Sequence, residues 1–360
     1  MRAFEFLLER SLAKNPAAGN NPSTVQAQIQ SKIAKIFDIK ELNKIFSYVS
    51  KIDLGKGFDE LFDRDPDLRA VQSTLARAIV DSPANVNDKL AFAKELTTNG
   101  IIDTSLLLTP GKTQNIQDLI VTSYPEIYQD IAPTLMSLAG KFQVKDKTLN
   151  RGKGEFFLAL LSPEISIGGM GDITIGNNGY EVKDHTGRMY GSSSAYGKVE
   201  PGIKAAKELL ANFIQTHDIG FDADKINVNL GPKSNLYVTG PKFVEAGVEH
   251  TVVRQLILDC MTEIISSLYP RISAEQLAGF HSTADGNGVV NWDQFKNYLK
   301  QFSYSYYQQE SKFAGMLLFN SKKMTVTYVD SPEMFAQMAD ITYGFYSSQQ
   351  QGVQVLTNKL

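Results

Sequence analysis

The sequence predicts a chain of the α+β or α/β class in two parts. A mostly helical region over residues 1–145 precedes a mixed-sheet domain flanked by helices over residues 146–360, with a helical insertion around residues 250–310. Three observations carry this. At 360 residues the chain exceeds the length at which a single hydrophobic core stops growing, roughly 250–300 residues. With 42% apolar and 21% charged residues it has the composition of a folded globular protein, not of a disordered, collagen-like or coiled-coil one. The texture also changes near Arg151: before it apolar residues recur at helical spacing, and after it glycines cluster and alternating runs begin.

The elements follow in order. Met1–Arg10 reads as a short amphipathic helix with acids inside its apolar stretch, not as a secretion signal. Asn15–Ser23 is a linker by composition. Ile29, Ile33, Ile36, Phe37, Leu42, Ile45, Phe46 and Val49 mark one helical face, and further helices are expected over Leu68–Val80, Val86–Leu96, Ile116–Val121 and Ile127–Leu138, with little sign of strands. Beyond Arg151 the expected order is a helix over Glu155–Leu161, stopped by Ser162-Pro163, then a two-stranded hairpin and a helix over Pro201–Thr216. Strands are expected over Phe221–Leu230 and Asn235–Thr239, an apolar helix over Val252–Leu268, and a second hairpin from Phe313–Phe319 and Met324–Val329.

Composition also limits function. No apolar run approaches the roughly 20 residues of a membrane helix, so no membrane association is expected. Cys260 is the single cysteine, which excludes an internal disulfide and a cysteine-built zinc site and suits a reducing, cytoplasmic setting. The formal net charge of −3 means that any nucleic-acid contact must come from a local basic patch.

The segment richest in chemistry is Gly171-Asp172-Ile173-Thr174-Ile175-Gly176-Asn177-Asn178-Gly179-Tyr180-Glu181-Val182-Lys183. Two alternating runs flank Gly-Asn-Asn-Gly, and both residue types tolerate the positive φ of a tight hairpin turn. With Asn177 and Asn178 at the turn centre, Ile175 faces Tyr180, Thr174 faces Glu181, Ile173 faces Val182 and Asp172 faces Lys183. Strand alternation then gathers Ile173, Ile175, Tyr180 and Val182 on an apolar face. Asp172, Thr174, Glu181 and Lys183 share the opposite face, expected to be wet. Opposed Cβ atoms lie about 5 Å apart, so the two carboxylates can converge on one hard cation or on Lys183.

An acid opening one strand, followed by acid-x-Lys on the next, resembles the PD-(D/E)XK nuclease superfamily, whose fold is restriction-endonuclease-like. Asp172 matches the first acid and Glu181-Val182-Lys183 the second element; Gly171 stands where the name motif has proline. Glu155, in Gly152-Lys153-Gly154-Glu155, matches the glutamate that the family often adds on the preceding helix. The resemblance covers about Gly152 to Arg188. It implies a metal-dependent nuclease acting on DNA, with Mg²⁺ or Mn²⁺ held by Asp172, Glu181, the carbonyl of Val182 and Glu155. Lys183 would act on the attacking water, and His185, Arg188 and Lys198 would contact phosphates.

Other readings stand beside it. Asp172 and Lys183 could form an ordinary exposed salt bridge, worth under about 1 kcal/mol. The opening sequence and the Asn/Gln/Ser-rich texture resemble proteins of large tailed phages, which implies a virion or assembly protein retaining an inactive nuclease-like domain, with phage structural proteins as partners and a virion-associated location. Thr283–Phe295 resembles an EF-hand loop, but Thr283 and Gln294 stand where the strongest acidic ligands belong, so weak Ca²⁺ affinity is expected. Tyr304, Tyr306 and Tyr307 are expected to pack on a helix face and not to stack on bases.

Overall fold

The computed structural model describes residues 39–51, 75–123, 131–133, 136, 153–184, 187–189, 197–229, 234, 236–343 and 353–357. The expected Met1–Arg10 helix, the Asn15–Ser23 linker, most of Ile127–Leu138 and His185 lie outside these residues. In chain order the elements are α1 (Ile39–Val49), α2 (Val86–Thr98), α3 (Thr104–Leu107), β1 (Thr113–Asn115), α4 (Ile116–Ser123), α5 (Lys153–Leu161), β2 (Ile165–Ile167), β3 (Ile173–Ile175) and β4 (Asn178–Lys183). Then follow β5 (Arg188–Met189), α6 (Val199–Thr216), α7 (Leu236–Glu245), α8 (His250–Leu268), α9 (Ala274–His281) and α10 (Trp292–Ser311). The chain continues through β6 (Gly315–Asn320), β7 (Thr325–Val329), α11 (Pro332–Met338), β8 (Asp340–Tyr343) and β9 (Val353–Leu356). The α+β class is as expected.

Two compact units divide the chain, and the division differs from the expected boundary at 145. The first unit joins residues 1–184 to Met316–Tyr328, and the second takes His185–Gly315 and Val329–Leu360. The N-terminal helices therefore share a unit with the sheet. One hydrophobic core unites Ile45, Phe92 and Ile120 with Phe156, Ile173, Tyr180, Leu317 and Val326. A single amphipathic helix layer has nothing of its own to cover its apolar stripe, and the sheet face supplies the cover.

The first unit holds a six-stranded sheet in the order β1-β7-β6-β4-β3-β2. β2, β3 and β4 form an antiparallel meander. β6 runs parallel to β4. A Cβ on Gly154 would meet Val182 Cγ1 at 3.0 Å and Phe319 Cδ1 at 2.8 Å, and two residues further along both strands Asp184 Oδ1 accepts from the Ser321 N–H at 3.1 Å. The carboxyl ends of β4 and β6 thus lie side by side. Between these two strands the sequence carries residues 184–314, so the inserted stretch is longer than the one expected at 250–310.

β1 was not expected. Three residues are too few for alternation to show, and its pairing is fixed by tertiary contacts: Thr113 lies opposite Thr327 with their hydroxyls 2.8 Å apart, and buried Gln114 donates from Nε2 to Leu106 O at 2.6 Å. The expected helix starts fare better. Val86 opens a helix capped by Asn85, whose side chain accepts from the Asp88 N–H.

The second unit contains β5, β9 and β8 as a three-stranded sheet, together with helices. Gly202 lets α6 approach α8 closely, since a Cβ there would lie 2.4 Å from Glu263 O. The two strands expected over residues 221–239 are absent from these described residues. Asn235–Thr239 falls largely in α7, because Leu236, Thr239 and Phe243 recur at helical spacing and are all buried. Ala223–Lys225 is a short 3-10 turn capped by the Asp222 side chain, and Ser234 accepts from the Asn229 N–H and donates to Asn227 O. Asp and Ser side chains there satisfy the backbone that a strand would have paired. Tyr304, Tyr306 and Tyr307 are buried in α10, as expected of a packing face.

Candidate active site

The hairpin forms one step away from its expected register. Gly176 and Asn177 take the turn, with Gly176 at φ +61°, and the pairs are Ile175 with Asn178, Thr174 with Gly179 and Ile173 with Tyr180. A glycine with positive φ at the first central position suits a turn that matches the strand twist, and this outcompetes Asn177-Asn178. The shift moves both strands together, so every residue keeps its face. Asp172 lies just beyond the last paired residues: its N–H donates to Tyr180 O at 2.9 Å, the carbonyl of the residue already opposite Ile173, so it does not face Lys183 as expected.

The polar face is covered, not wet. Glu181 and Lys183 are buried, and the side chain of Asp172 is 22% exposed. The glycine loop between β2 and β3 folds back onto this hairpin. Gly168, Gly169 and Gly171 all take positive φ, which lets the loop fold back over the strand. A Cβ on Gly179 would lie 1.3 Å from Met170 O, so only glycine fits beneath the loop. Thr174 Oγ1 donates to Gly168 O at 2.7 Å and ties the loop down. The loop glycines, which match no nucleotide-binding fingerprint, thus have a structural use that period-two reading does not expose.

Three charged groups meet on this face. Lys183 Nζ pairs with Glu181 Oε1 at close range and with Asp172 Oδ2 at 3.3 Å. Asp172 Oδ2 also accepts from the Val182 N–H at 3.0 Å. Asp172 Oδ1 makes no hydrogen bond to a described residue. Two carboxylates thus meet one ammonium in a partly desolvated place, and carboxylates this close together favour cationic charge beside them.

Glu155 sits in the first turn of α5 and is 5% exposed. Its neighbour Gly154 carries the helix start onto Val182 and Phe319. Among the described residues, however, no group of three or more His, Cys, Asp or Glu side chains is arranged to hold a metal ion. Two of the expected acids converge, and Glu155 does not complete a triad with them. Arg188, half-buried in β5, and Lys198, exposed before α6, belong to the second unit.

The EF-hand-like loop spends its acid on itself. Asp285 Oδ1 accepts from the Asn287 and Val289 N–H groups at 2.8 and 2.9 Å, and Arg254 Nε donates to Asp285 O at 3.2 Å. Gly288 at φ +74° completes the turn into α10. A glycine turn leading into a helix accounts for the segment.

No protein-family model matches the chain, and neither a curated protein nor a solved structure shows significant similarity to it.

Proposed function

We propose that this chain is a metal-dependent nuclease of the PD-(D/E)XK type that hydrolyses phosphodiester bonds of DNA. The observation that carries the reading is the meeting of Asp172, at the opening of β3, with Glu181 and Lys183 on β4. The buried glutamate on the preceding helix, Glu155, and the mixed sheet lend support.

The donor set fits Mg²⁺ or Mn²⁺. Mg²⁺ takes oxygen ligands, keeps several waters and is commonly held by one or two carboxylates together with substrate phosphates. Asp172 and Glu181 would supply the two carboxylates, with the Val182 carbonyl as a third oxygen and Glu155 as a further acid on the preceding helix. When bound, the metal would lower the pKa of a water and stabilise charge on the scissile phosphate. Asp172 is oriented by the Val182 N–H through Oδ2, which leaves Oδ1 for the ion. Lys183 balances the acids in the free protein and holds a proton donor beside them for the phosphate oxygens.

The decisive experiment is nicking of supercoiled plasmid with Mg²⁺, against an EDTA control. Asp172→Asn keeps an oxygen for the Val182 N–H and is expected to remain folded while cleaving at least about 100-fold more slowly. A wild type inert with both Mg²⁺ and Mn²⁺ on DNA would sink the reading.

A second reading has its own observation. Glu181 and Lys183 are buried as an ion pair, which suits a structural cluster in an inactive nuclease-like domain. A virion or assembly role, with phage structural proteins as partners, follows from an inert wild type that co-purifies with particles.

A further inference from the structure

We propose that the β6–β7 turn, Asn320-Ser321-Lys322-Lys323-Met324, is a preformed grip for the phosphate backbone of duplex DNA. It rests on the nuclease reading only for its choice of substrate. β4 and β6 are parallel and adjacent, so their carboxyl ends lie at the same end of the sheet. Lys183 is the last residue of β4, and the next residue, Asp184, accepts from the Ser321 N–H. The turn is thus fastened directly beside the acid–ammonium cluster.

Its backbone is fixed from three sides. Buried Asn320 accepts with Oδ1 from both the Lys322 and Lys323 N–H groups, each at 3.1 Å. Asp184 holds Ser321, and Met324, at φ +54°, accepts with its carbonyl from the Ile116 N–H at 2.9 Å. Lys322 and Lys323 are both exposed, and Lys322 forms no ion pair with a described residue. Two consecutive lysines on a turn whose backbone is already ordered can neutralise phosphates without the entropic cost of ordering a loop. A chain of net charge −3 needs a local feature of this kind to hold a polyanion.

The test measures binding of a fluorescein-labelled DNA duplex in EDTA, where no cleavage is needed, over roughly 50 to 200 mM salt. Lys322→Glu/Lys323→Glu is expected to weaken binding at least about tenfold at 100 mM salt. It should also make the slope of log K against log salt shallower by about 1.8, the loss of two phosphate contacts. Lys112→Glu is the control. Lys112 is exposed and precedes β1, whose Thr113 pairs with Thr327, so it lies at the opposite end of β7 from the turn. Its slope should match the wild type. An unchanged slope in the double variant, an equal loss in Lys112→Glu, or a wild type that does not bind duplex would each overturn the proposal. Binding of the expected slope by a protein that never cleaves would leave the grip standing and remove only the nuclease reading.

Discussion

Two acidic turns in this molecule use similar residues to opposite ends. In the β3–β4 hairpin, Asp172 reaches across to the neighbouring strand, and Glu181 and Asp172 share the ammonium of Lys183. In the 283–294 loop, Asp285 turns back on its own backbone and caps two amides. The first arrangement gathers two carboxylates on one ammonium in a partly buried place, a setting in which a cation can act. The second leaves an exposed carboxylate already committed to holding a turn. What separates a candidate site from a well-made loop here is where the lone pairs go, since both segments carry Asp, Asn and Gly.

The largest effect expected from breaking this contrast is at Lys183. Lys183→Ala removes the ammonium shared by two acids, one of them buried, and should destabilise the first unit by about 3–5 kcal/mol. Urea unfolding would measure it, and Mg²⁺ should restore part of the loss by taking the ammonium's place. A variant as stable as the wild type would mean that water already reaches the cluster.

Next in size is the metal effect on the intact protein. At a Mg²⁺ concentration of about 100 times Kd, the gain in stability is about 2.7 kcal/mol, read as a rise in Tm that EDTA reverses. Asp172→Asn should lose that rise and Asp285→Ala should keep it. The reverse pattern, with Ca²⁺ as the better ligand, would move the metal site to the second unit. Asp285→Ala by itself should cost about 1 kcal/mol, because two amides lose their acceptor on a solvent-exposed turn that water can partly replace.

The hairpin, its two faces and the meeting of its charges were legible in the sequence, because a period of two survives any paired shift of register. The turn itself was not, since Gly-Asn and Asn-Asn compete and only the conformation at Gly176 decides between them. Nor was the burial of Glu181, or the β2–β3 loop folding over Gly179, where Met170 O comes so near that only glycine fits, a backbone contact that leaves no hydrophobic signature. β1 and α7 mark the same limit: three residues cannot display a period, and Tyr237-Val238-Thr239 has strand chemistry inside a helical burial pattern. The division into units was hidden for a different reason. Sequence texture records where helices give way to strands, whereas the core records what they pack against, and here the N-terminal helices and the sheet share one core.

The smallest predicted effect concerns His281, beside the 283–294 loop. Its Nε2 lies 2.9 Å from Thr262 Oγ1, and burial, helped by the charge of Arg254, lowers its pKa below the ordinary 6.5, against weaker opposing pulls from Asp259 and the Leu258 backbone. The unfolded chain therefore takes up a proton at higher pH than the folded one. The contribution of His281 to stability is intact above about pH 6.5 and is lost as the pH falls below that value. His281→Gln retains a hydrogen-bonding group for Thr262 but cannot titrate. The difference in stability between wild type and variant, followed by urea unfolding from about pH 7.5 to about pH 5, should shift in the variant's favour on acidification. A constant difference would show that the ring is protonated as readily in the folded unit as in the unfolded chain, which would make the loop's surroundings wetter than the packing of α9 against Thr262 requires.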